Sequence, residues 1–403
     1  WQFIERIFAM AIDYDPFSAE VRNDPLPIYK RLREEDPVHY MKKYDAWALA
    51  RFQDIWDASS NDDLIASRGT TPAQLLTRDQ PVTPMLNVLD PPIHTQLRTV
   101  IRKCFMPKHV RALEPIVHTL AGELLDQVQD KPEFDAINDW AALLSVSTAC
   151  MAIGLPVEDG PLLTRMVQGF FHHDPDLGGV TPEGLAAFGA LNAYCEDRIK
   201  EERKNPSDSE QALPCLARFE RDGERFSDAD AASHTVMLVI GGSETFPKVL
   251  ASCLRRLWEY PDQRALLVQD PSMAVDAFNE VLRYDMPTQF LGRTARKDVE
   301  IGGKSIKAGQ PVIFLYASAN RDETEFEDPD RFDIRRKAPR FLSFGAGHHA
   351  CLGTHVARME GKVCLELMCE RFPEYDLDLA NAKRFRTEFV QGFSSLPLRP
   401  GIG

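Results

Sequence analysis

The sequence predicts a mainly α fold, a single large helical domain over residues 1–403 with a small β-rich portion. Long stretches carry apolar residues at helical spacing, whereas strand signals are few and short. No internal repeat, low-complexity tract or break in composition marks a domain boundary. At 403 residues, the chain is long enough to bury a sizeable core.

Two helices are predicted most clearly. Ser227 is a good N-cap residue with Asp230 three positions later, and the stretch from Asp228 to about Tyr260 is apolar enough for a helix buried on several sides. The other helix is predicted by apolar residues that recur at spacings of three and four, namely Val356, Met359, Val363 and Leu367.

The β-rich portion is expected to consist of hairpins. One is predicted from VHYM with AWALAR, near residues 38–51, and another from DVEIGG with QPVIFLY, near residues 298–316. The polar run RKNPSDSEQ, residues 203–211, predicts a surface loop.

Composition excludes several classes of function. A net charge of −14 argues against nucleic-acid binding, which needs basic residues gathered on one face. No stretch approaches the roughly 20 apolar residues of a membrane span. Eight scattered cysteines without a C-x-x-C pair indicate reduced thiols, and therefore a cytoplasmic protein.

The segment FLSFGAGHHACLG, residues 341–353, fits three kinds of site. Its G-x-G-x-x-A pattern fits a dinucleotide-binding turn, but only about fifty residues follow, too few for the sheet that such a site needs. His348, His349, Cys351 and His355 offer zinc ligands, although adjacent histidines on a tight turn point in diverging directions. A thiolate at the start of a helix is instead a sensible axial ligand for iron, beside glycines that let a large flat ligand approach.

The same segment resembles the haem-binding loop of the cytochrome P450 family, which has the pattern F-G-x-G-x-H-x-C-x-G. The matching positions include Phe344, Gly345, His349, Cys351 and Gly353. The resemblance implies haem b with the thiolate of Cys351 as the axial ligand of iron, and with Phe344, Gly345 and Gly353 beside the cofactor.

Further segments resemble the family in the same order along the chain. Glu280 and Arg283 in EVLR, with Arg331 in EDPDRF, match the family's buried Glu-Arg-Arg cluster. Taken alone, Glu and Arg at this spacing more often form a solvated surface pair.

A set of cationic residues matches the family's partners for the two haem propionates: His94, Arg98, Arg293 and His349. His94 and Arg98 are one helical turn apart and therefore share a helix face. Buried carboxylates are costly unless such donors pair with them, and arginine can bind them through two hydrogen bonds.

The stretch VIGGSETFPKVL matches the family's oxygen-activation signature, with Gly241, Glu244 and Thr245 at its defining positions. The resemblance implies that Gly241 leaves room for oxygen beside the haem, that Thr245 hydrogen-bonds the bound oxygen and that Glu244 helps to deliver protons. Pro247 is unusual in the family, and it should kink the helix because it lacks an N–H and clashes with the carbonyl of Ser243.

The implied activity is a haem-thiolate monooxygenase that uses O2 to hydroxylate, or otherwise oxidise, a small molecule. Two alternatives stay open, a haem-thiolate sensor or peroxide-using relative and a zinc-structured interaction protein, and Glu244 with Thr245 favours the monooxygenase. Electrons are expected from a separate ferredoxin with an NAD(P)H-dependent reductase, and the protein is expected to be a monomer. The basic run RRKAPR is a candidate docking surface, comprising Arg335, Arg336, Lys337 and Arg340, with Arg102 and Lys103 as an extension.

The substrate is expected to be a terpenoid, steroid, fatty acid or aromatic compound, because the pocket residues implied by family position are mostly apolar. They are Leu75, Met85, Leu86, Val88, Met237, Ile240, Thr288, Gln289, Phe290 and Phe393. FFHHDPD, residues 170–176, lies where the family has a substrate lid, although a surface loop is the commoner explanation for His172 and His173.

Overall fold

The fold was examined in a computed structural model that describes residues 12–171 and 181–401. The mainly α fold with a small β portion is confirmed. Fifteen α-helices lie in the described ranges: α1 (Ala19–Asn23), α2 (Leu26–Glu35), α3 (Phe52–Ala58), α4 (Ile93–Cys104), α5 (Pro107–Asp126), α6 (Ala142–Ile153), α7 (Gly160–Phe170), α8 (Pro182–Lys204), α9 (Ala212–Arg218), α10 (Asp228–Ser243), α11 (Thr245–Glu259), α12 (Pro261–Gln269), α13 (Ala274–Tyr284), α14 (Tyr316–Ala319) and α15 (Thr354–Arg371).

The strands are short and form one larger sheet and four small ones in these ranges. They are β1 (Val38–Met41), β2 (Ala46–Leu49), β3 (Leu64–Ile65), β4 (Phe134–Asp135), β5 (Glu220–Arg221), β6 (Glu224–Arg225), β7 (Phe290–Ala295), β8 (Val299–Ile301), β9 (Lys304–Ile306), β10 (Pro311–Leu315), β11 (Tyr375–Leu377), β12 (Lys383–Arg386), β13 (Gln391–Ser395) and β14 (Pro397–Pro400). The larger sheet has the order β1-β2-β10-β7-β3.

The first predicted hairpin is confirmed, and the second is wrong in its pairing. β1 and β2 pair antiparallel, as expected. DVEIGG does not pair with QPVIFLY, because β8 turns back onto β9 through Gly302 and Gly303, whose φ angles of 55° and 73° suit a tight hairpin turn. β10 instead lies inside the larger sheet, antiparallel to β7 and parallel to β2.

The predicted central helix is present but interrupted. Ser227 caps α10 in a capping box with Asp230, as expected. The helix stops at Ser243 and α11 resumes at Thr245, so Glu244 lies at the junction between the two segments. Pro247 follows within the first turn of α11. Because proline has no backbone N–H, the junction has one hydrogen-bond donor fewer.

The main core forms where the long helices cross. α10 packs against α6 and α8, and α15 packs against α13 and α5. The contact between α15 and α13 is so close that a Cβ at Gly361 would lie 2.3 Å from Cδ2 of Phe278. The four apolar residues that predicted α15 are all buried. This core therefore holds the helices on which the candidate site is built.

Two helical segments, Ala136–Ile153 and Asp228–Glu259, have the length and hydropathy of a membrane span. Within the fold, however, 72% and 67% of their most apolar windows are buried. That burial is typical of core helices, so their composition is weak evidence for membrane spans.

Candidate active site

The loop before α15 holds a cysteine against the floor of a deep cavity. The backbone N–H of Cys351 donates to the carbonyl of Phe344 at 2.7 Å, which closes the loop on itself. Gly345 and Gly347 have φ angles of 65° and 63°, in the left-handed region that favours glycine. A Cβ at Gly347 would also lie 2.1 Å from the carbonyl oxygen of Ser59, so this turn has no room for a side chain.

The thiol of Cys351 lies three residues before the first residue of α15. Burial raises its pKa, whereas the backbone N–H of Gly353, the hydroxyl of Thr354 and the guanidinium of Arg98 each act to lower it. These donors would stabilise a thiolate, as would the N-terminal end of the helix dipole. The loop therefore presents a sulfur ligand to the cavity with groups that favour its negative charge.

Four cationic or basic side chains cluster beside this loop. The rings of His94 and His349 stack with centroids 4.1 Å apart, and the guanidinium groups of Arg98 and Arg293 lie in the same wall of the cavity. Arg98 donates to the carbonyl of Ala350, and Arg293 donates to the carbonyl of Gly292 at 2.7 Å.

The cluster lacks a negative counterpart within residues 12–171 and 181–401, where no carboxylate forms an ion pair with Arg98 or Arg293. Desolvation and neighbouring positive charges lower the pKa of His94 to about 4 and of His349 to about 2, and burial lowers the pKa of both arginines. Nε2 of His94 is also buried without a hydrogen-bond partner. A dianionic group would satisfy all four residues, which is the charge that two propionates supply.

The cavity has a volume of about 860 Å³ and is lined by the loop, by Arg98, Arg293 and His349 of the cluster, and by the junction of α10 and α11. Phe344, Gly345, Cys351 and Gly353 line it on the side of α15. Gly241 lines the opposite side, and a Cβ at this position would meet nothing within 4 Å. The space between the two sides is therefore open to a flat ligand that contacts Cys351.

An acid and an alcohol lie at the helix junction on the far side of that space. Glu244 and Thr245 both line the cavity, and Oγ1 of Thr245 donates to the carbonyl of Gly241 at 3.3 Å. Burial raises the pKa of Glu244, although Nζ of Lys248 contacts its carboxylate and acts to lower that pKa. Both side chains of this ion pair are largely buried.

The sequence and fold resemble those of known haem proteins. The family model described as cytochrome P450 matches residues 170–392. The chain is 32% identical to the vitamin D(3) 25-hydroxylase of Pseudonocardia autotrophica, over 96% of either protein. It is 30% identical to the linalool 8-monooxygenase of Pseudomonas putida, over 95% of this chain and 96% of that relative. The chain belongs to the cytochrome P450 family. The crystal structure of CalO2 has the same fold, with a TM-score of 0.86 and 27% identity over 97% of this P450 and 99% of CalO2.

Members of the family hold a haem iron through a cysteine thiolate and act as monooxygenases that use O2 and a redox partner. The residues around the cavity of this P450 fit that cofactor. Cys351 would supply the sulfur, the cationic cluster would supply partners for the propionates, and Gly241 would leave the opposite side open. The histidines do not gather for zinc, because His348 faces Asp62 at 3.2 Å while His349 stacks on His94.

The expected Glu-Arg-Arg cluster is present, but its third member was wrongly assigned. Arg283 makes two hydrogen bonds of 2.8 Å to the carboxylate of Glu280, and both side chains are fully buried. The side chain of Arg331 is 61% exposed and lies 3.4 Å from Asp333. Arg336 replaces it, with its Nε 3.3 Å from Oε1 of Glu280. The chain turns after residue 331, which directs Arg331 outwards and brings Arg336 back to the cluster.

This change removes the basis for RRKAPR as a free cationic surface. Arg336 is committed to Glu280, and two neighbours form close ion pairs, Arg335 with Asp333 at 2.9 Å and Arg340 with Glu325 at 2.8 Å. Lys337 lies 3.8 Å from Asp276. Most of the positive charge of this run is therefore compensated within the fold.

The cavity wall contains only part of the expected substrate pocket. Met85, Leu86, Met237, Ile240 and Thr288 line the cavity. The other expected contacts are absent from the lining formed by the described residues: Leu75, Val88, Gln289, Phe290 and Phe393.

Local packing explains these differences. Leu75 packs against Gly292 of β7. The contact is so close that a Cβ at Gly292 would lie 2.5 Å from Cδ1 of Leu75. Phe290 is 1% exposed in the core of the larger sheet. Phe393 lies under the guanidinium groups of Arg255 and Arg384, which are 5.9 Å and 4.5 Å from its ring centroid. Val88 is buried, and the buried amide of Gln289 bonds to backbone carbonyls at 3.2 Å and 3.3 Å.

Aromatic residues that the sequence did not single out complete the wall. Phe170 and Phe171 stack edge-on at the end of α7, Phe188 of α8 packs on Phe170, and Phe389 lines the side of the β12–β13 hairpin. The paired phenylalanines of FFHHDPD were a visible signal, since adjacent aromatic residues at a helix end need an apolar surface. His172 and His173 lie outside the described residues.

Proposed function

We propose that this P450 hydroxylates, or otherwise oxidises, an apolar small molecule with O2 and two electrons from a ferredoxin served by an NAD(P)H-dependent reductase. One observation carries the proposal: Cys351, Arg98, Arg293 and His349 line the same cavity as Glu244 and Thr245, and His94 stacks on His349 behind that wall. Cys351 would hold the iron of haem b, and His94, Arg98, Arg293 and His349 would hold its propionates. Phe344, Gly345, Gly353 and Gly241 would line the space that the haem occupies.

Haem supplies the binding and reduction of O2 and the oxidation of the substrate. The residues of the chain would deliver the protons that the reaction needs and would enclose the substrate in the cavity. The hydroxyl of Thr245 would turn from the carbonyl of Gly241 to donate a hydrogen bond towards the cavity, and the carboxyl of Glu244 would return a proton to that hydroxyl. Lys248 holds the carboxylate of Glu244 in place between turnovers, because its ammonium group is buried against it.

The wall of the cavity supports an apolar substrate such as a terpenoid, steroid, fatty acid or aromatic compound. Phenylalanine, methionine and leucine side chains contribute much of the surface above the helix junction. Such a surface favours molecules that bury hydrocarbon, while Thr288 and a few other polar side chains, among them Thr70 and Thr71, offer hydrogen-bond partners for orientation. The relatives named after vitamin D(3) and linalool are consistent with this class.

Electron delivery is proposed to depend on the exposed end of α4. Arg102 and Lys103 follow Arg98 by about one turn, both are exposed, and neither pairs with a carboxylate in the described parts of the chain. They would present positive charge to an acidic ferredoxin close to the haem edge. We also propose a single domain over residues 1–403, a monomer and a cytoplasmic location, the last supported by the free thiols of all eight cysteines.

Carbon monoxide binding to the reduced protein tests the cofactor assignment. The wild type should show the red-shifted Soret band of a thiolate-ligated haem, and Cys351→Ala should lose it. Cys369→Ala is the matched control, because this thiol is partly buried on α15, the helix that follows the Cys351 loop, but does not line the cavity. An unchanged band in Cys351→Ala would overturn the assignment.

Substrate class is tested by screening ligands for the low-spin to high-spin shift of the ferric protein. Terpenoids, steroids, fatty acids and aromatic compounds should include binders whose oxidised products appear with ferredoxin, reductase and NAD(P)H. If only strongly polar compounds shift the spectrum, the proposed substrate class is wrong.

Ferredoxin docking is tested by reversing the charge of Arg102 and Lys103 and comparing the result with a charge reversal elsewhere on the surface. Arg102→Glu with Lys103→Glu should slow ferredoxin-driven reduction most at low salt, because the attraction is screened as ionic strength rises. Arg335→Glu serves as the control, since its charge is already compensated by Asp333. Equal losses in both proteins would argue against docking at α4.

A further inference from the structure

Two cysteines outside the active site lie close enough to react with each other. Cys104 is the last residue of α4, and Cys215 lies within α9. The thiol of Cys104 donates a hydrogen bond to the sulfur of Cys215 at an Sγ–Sγ distance of 3.9 Å. The two residues are far apart in the sequence, so their contact is a product of the tertiary fold.

The two thiols differ in ways that suit stepwise oxidation. Cys104 is 6% exposed and buried in the main core, whereas Cys215 is partly exposed. The hydrogen bond from Cys104 lowers the pKa of Cys215, and the guanidinium of Arg218 adds to this effect. The same hydrogen bond, with burial, raises the pKa of Cys104. Cys215 is therefore the accessible thiol with the greater thiolate character, which is the form that attacks oxidants.

A bond between these sulfurs needs only a small movement. Disulfide sulfurs are about 2.0 Å apart, so the pair must close by roughly 1.9 Å. The two helices are already in contact, and each sulfur turns about its own Cα–Cβ bond, so side-chain rotation changes the distance between the sulfurs. By contrast, Cys351 lines the active-site cavity, and no other pair of thiols in residues 12–171 and 181–401 shares a hydrogen bond.

We propose that Cys104 and Cys215 are a reversible oxidation site at which hydrogen peroxide joins α4 to α9 through a disulfide. The thiolate of Cys215 attacks one oxygen of peroxide, the O–O bond breaks, and the departing hydroxide takes up a proton to become water. The resulting sulfenic acid is attacked by the sulfur of Cys104, which releases a second water. The two thiols together lose two electrons and two protons, and one peroxide becomes two waters.

The position of the bond gives it a consequence for the active site. α4 carries His94 in its first turn, Arg98 at its middle and Cys104 at its last position, while α9 packs against α10. The disulfide would fasten the helix that holds the propionate partners to the helix layer that carries Gly241. We expect the oxidised haem protein to melt at a higher temperature than the reduced protein, because the crosslink closes a long loop of chain.

The experiment treats the purified haem protein with a small molar excess of hydrogen peroxide, or with diamide as an oxidant that does not react through haem. Remaining thiols are alkylated and the peptides are mapped by mass spectrometry. We expect one crosslinked peptide pair containing Cys104 and Cys215, lighter by two hydrogen atoms than the reduced pair and released by dithiothreitol.

Single variants separate this site from general oxidation. Cys215→Ser should abolish the crosslink. Cys104→Ser should leave a sulfenic acid at Cys215 that dimedone labels. Cys369→Ser, at the other partly buried thiol, should behave as wild type.

Two results would overturn the proposal. If both thiols remain alkylatable after either oxidant, the site is not an oxidation site, and pairing with diamide alone would refute the peroxide step. The carbon monoxide spectrum of the same samples reports the haem ligation separately, so a failure of the proposed function is distinguishable from a failure of this inference.

Discussion

The arginine that completes the Glu280 cluster can be identified by substituting two neighbouring candidates. Arg336→Ala should destabilise the protein strongly, whereas Arg331→Ala should change little. Arg336 is 16% exposed and contacts Oε1 of Glu280 at 3.3 Å. Arg331 is 61% exposed and reaches only Asp333. The sequence pattern alone predicts the opposite result.

The magnitude follows from the bonds that each substitution removes. Arg336 also donates to the backbone carbonyls of Glu327 and Asp328 at 2.7 Å and 3.0 Å, and to that of Arg331 at 3.3 Å. Water can replace the arginine at those partly exposed carbonyls, so most of the cost comes from the buried carboxylate. Glu280 retains two bonds from Arg283. The loss should therefore be about 2–3 kcal/mol, below the ~3–5 kcal/mol for removing the whole partner of a buried charge.

For Arg331→Ala we expect a change within about 0.5 kcal/mol, as for most exposed substitutions. Urea unfolding followed by tryptophan fluorescence gives both free energies, and absorbance of the Soret band reports haem loss in the same titration. Arg336→Lys is the matched control that keeps the charge but loses the fork of donors, and it should fall between wild type and Arg336→Ala. Equal losses for Arg331→Ala and Arg336→Ala would refute the assignment.

Three further predictions concern the cavity. Thr245→Ala should still bind substrate and consume NAD(P)H, but with less product and more hydrogen peroxide per NAD(P)H oxidised, and tight coupling would show that another donor protonates oxygen. Lys248→Met should move the alkaline limb of the turnover–pH profile to higher pH, because Lys248 acts to lower the raised pKa of Glu244 and the protonated carboxyl is the proton donor, and an unmoved profile would contradict that role. Glu360→Gln should make the protein more stable at pH 8 than wild type and flatten the pH dependence of its stability. Burial raises the pKa of Glu360 well above its unfolded value, so wild-type stability falls as pH rises from about 4.3 towards the folded pKa. Parallel stability–pH curves for the two proteins would show that Glu360 does not carry this effect.

The sequence was sufficient to locate the candidate site where its residues lie close together in the chain. The loop from Phe344 to Gly353, the turn between His94 and Arg98, and the Glu244–Thr245 pair each lie within one short segment. Local backbone geometry decides where such side chains point. The structure accordingly brings these segments to one cavity.

Sequence was insufficient where the result depends on how distant segments return. The position of either Arg331 or Arg336 in the sequence is compatible with the third arginine of the cluster. The turn of the chain after residue 331 determines that Arg336 reaches Glu280 and Arg331 does not. β10 pairs with β7 and β2, which the fold places beside it. The strand that precedes it in the chain, β9, pairs with β8 instead. The same holds for Leu75, which is apolar and in the expected region but faces a strand instead of the cavity.

The helix junction at Glu244 is in contact with the wall of the cavity through Lys248 and the β12–β13 hairpin. Nζ of Lys248, which contacts Glu244, lies 4.9 Å from the ring centroid of Phe385 on the β12–β13 hairpin. A Cβ at Gly392 of the same hairpin would lie 2.9 Å from Cβ of Lys248, so the hairpin backbone presses directly on this side chain. Phe385 also lines the substrate cavity. A continuous set of contacts therefore runs from Phe385 in the cavity wall through Lys248 to Glu244, the carboxylate that we propose delivers protons to Thr245.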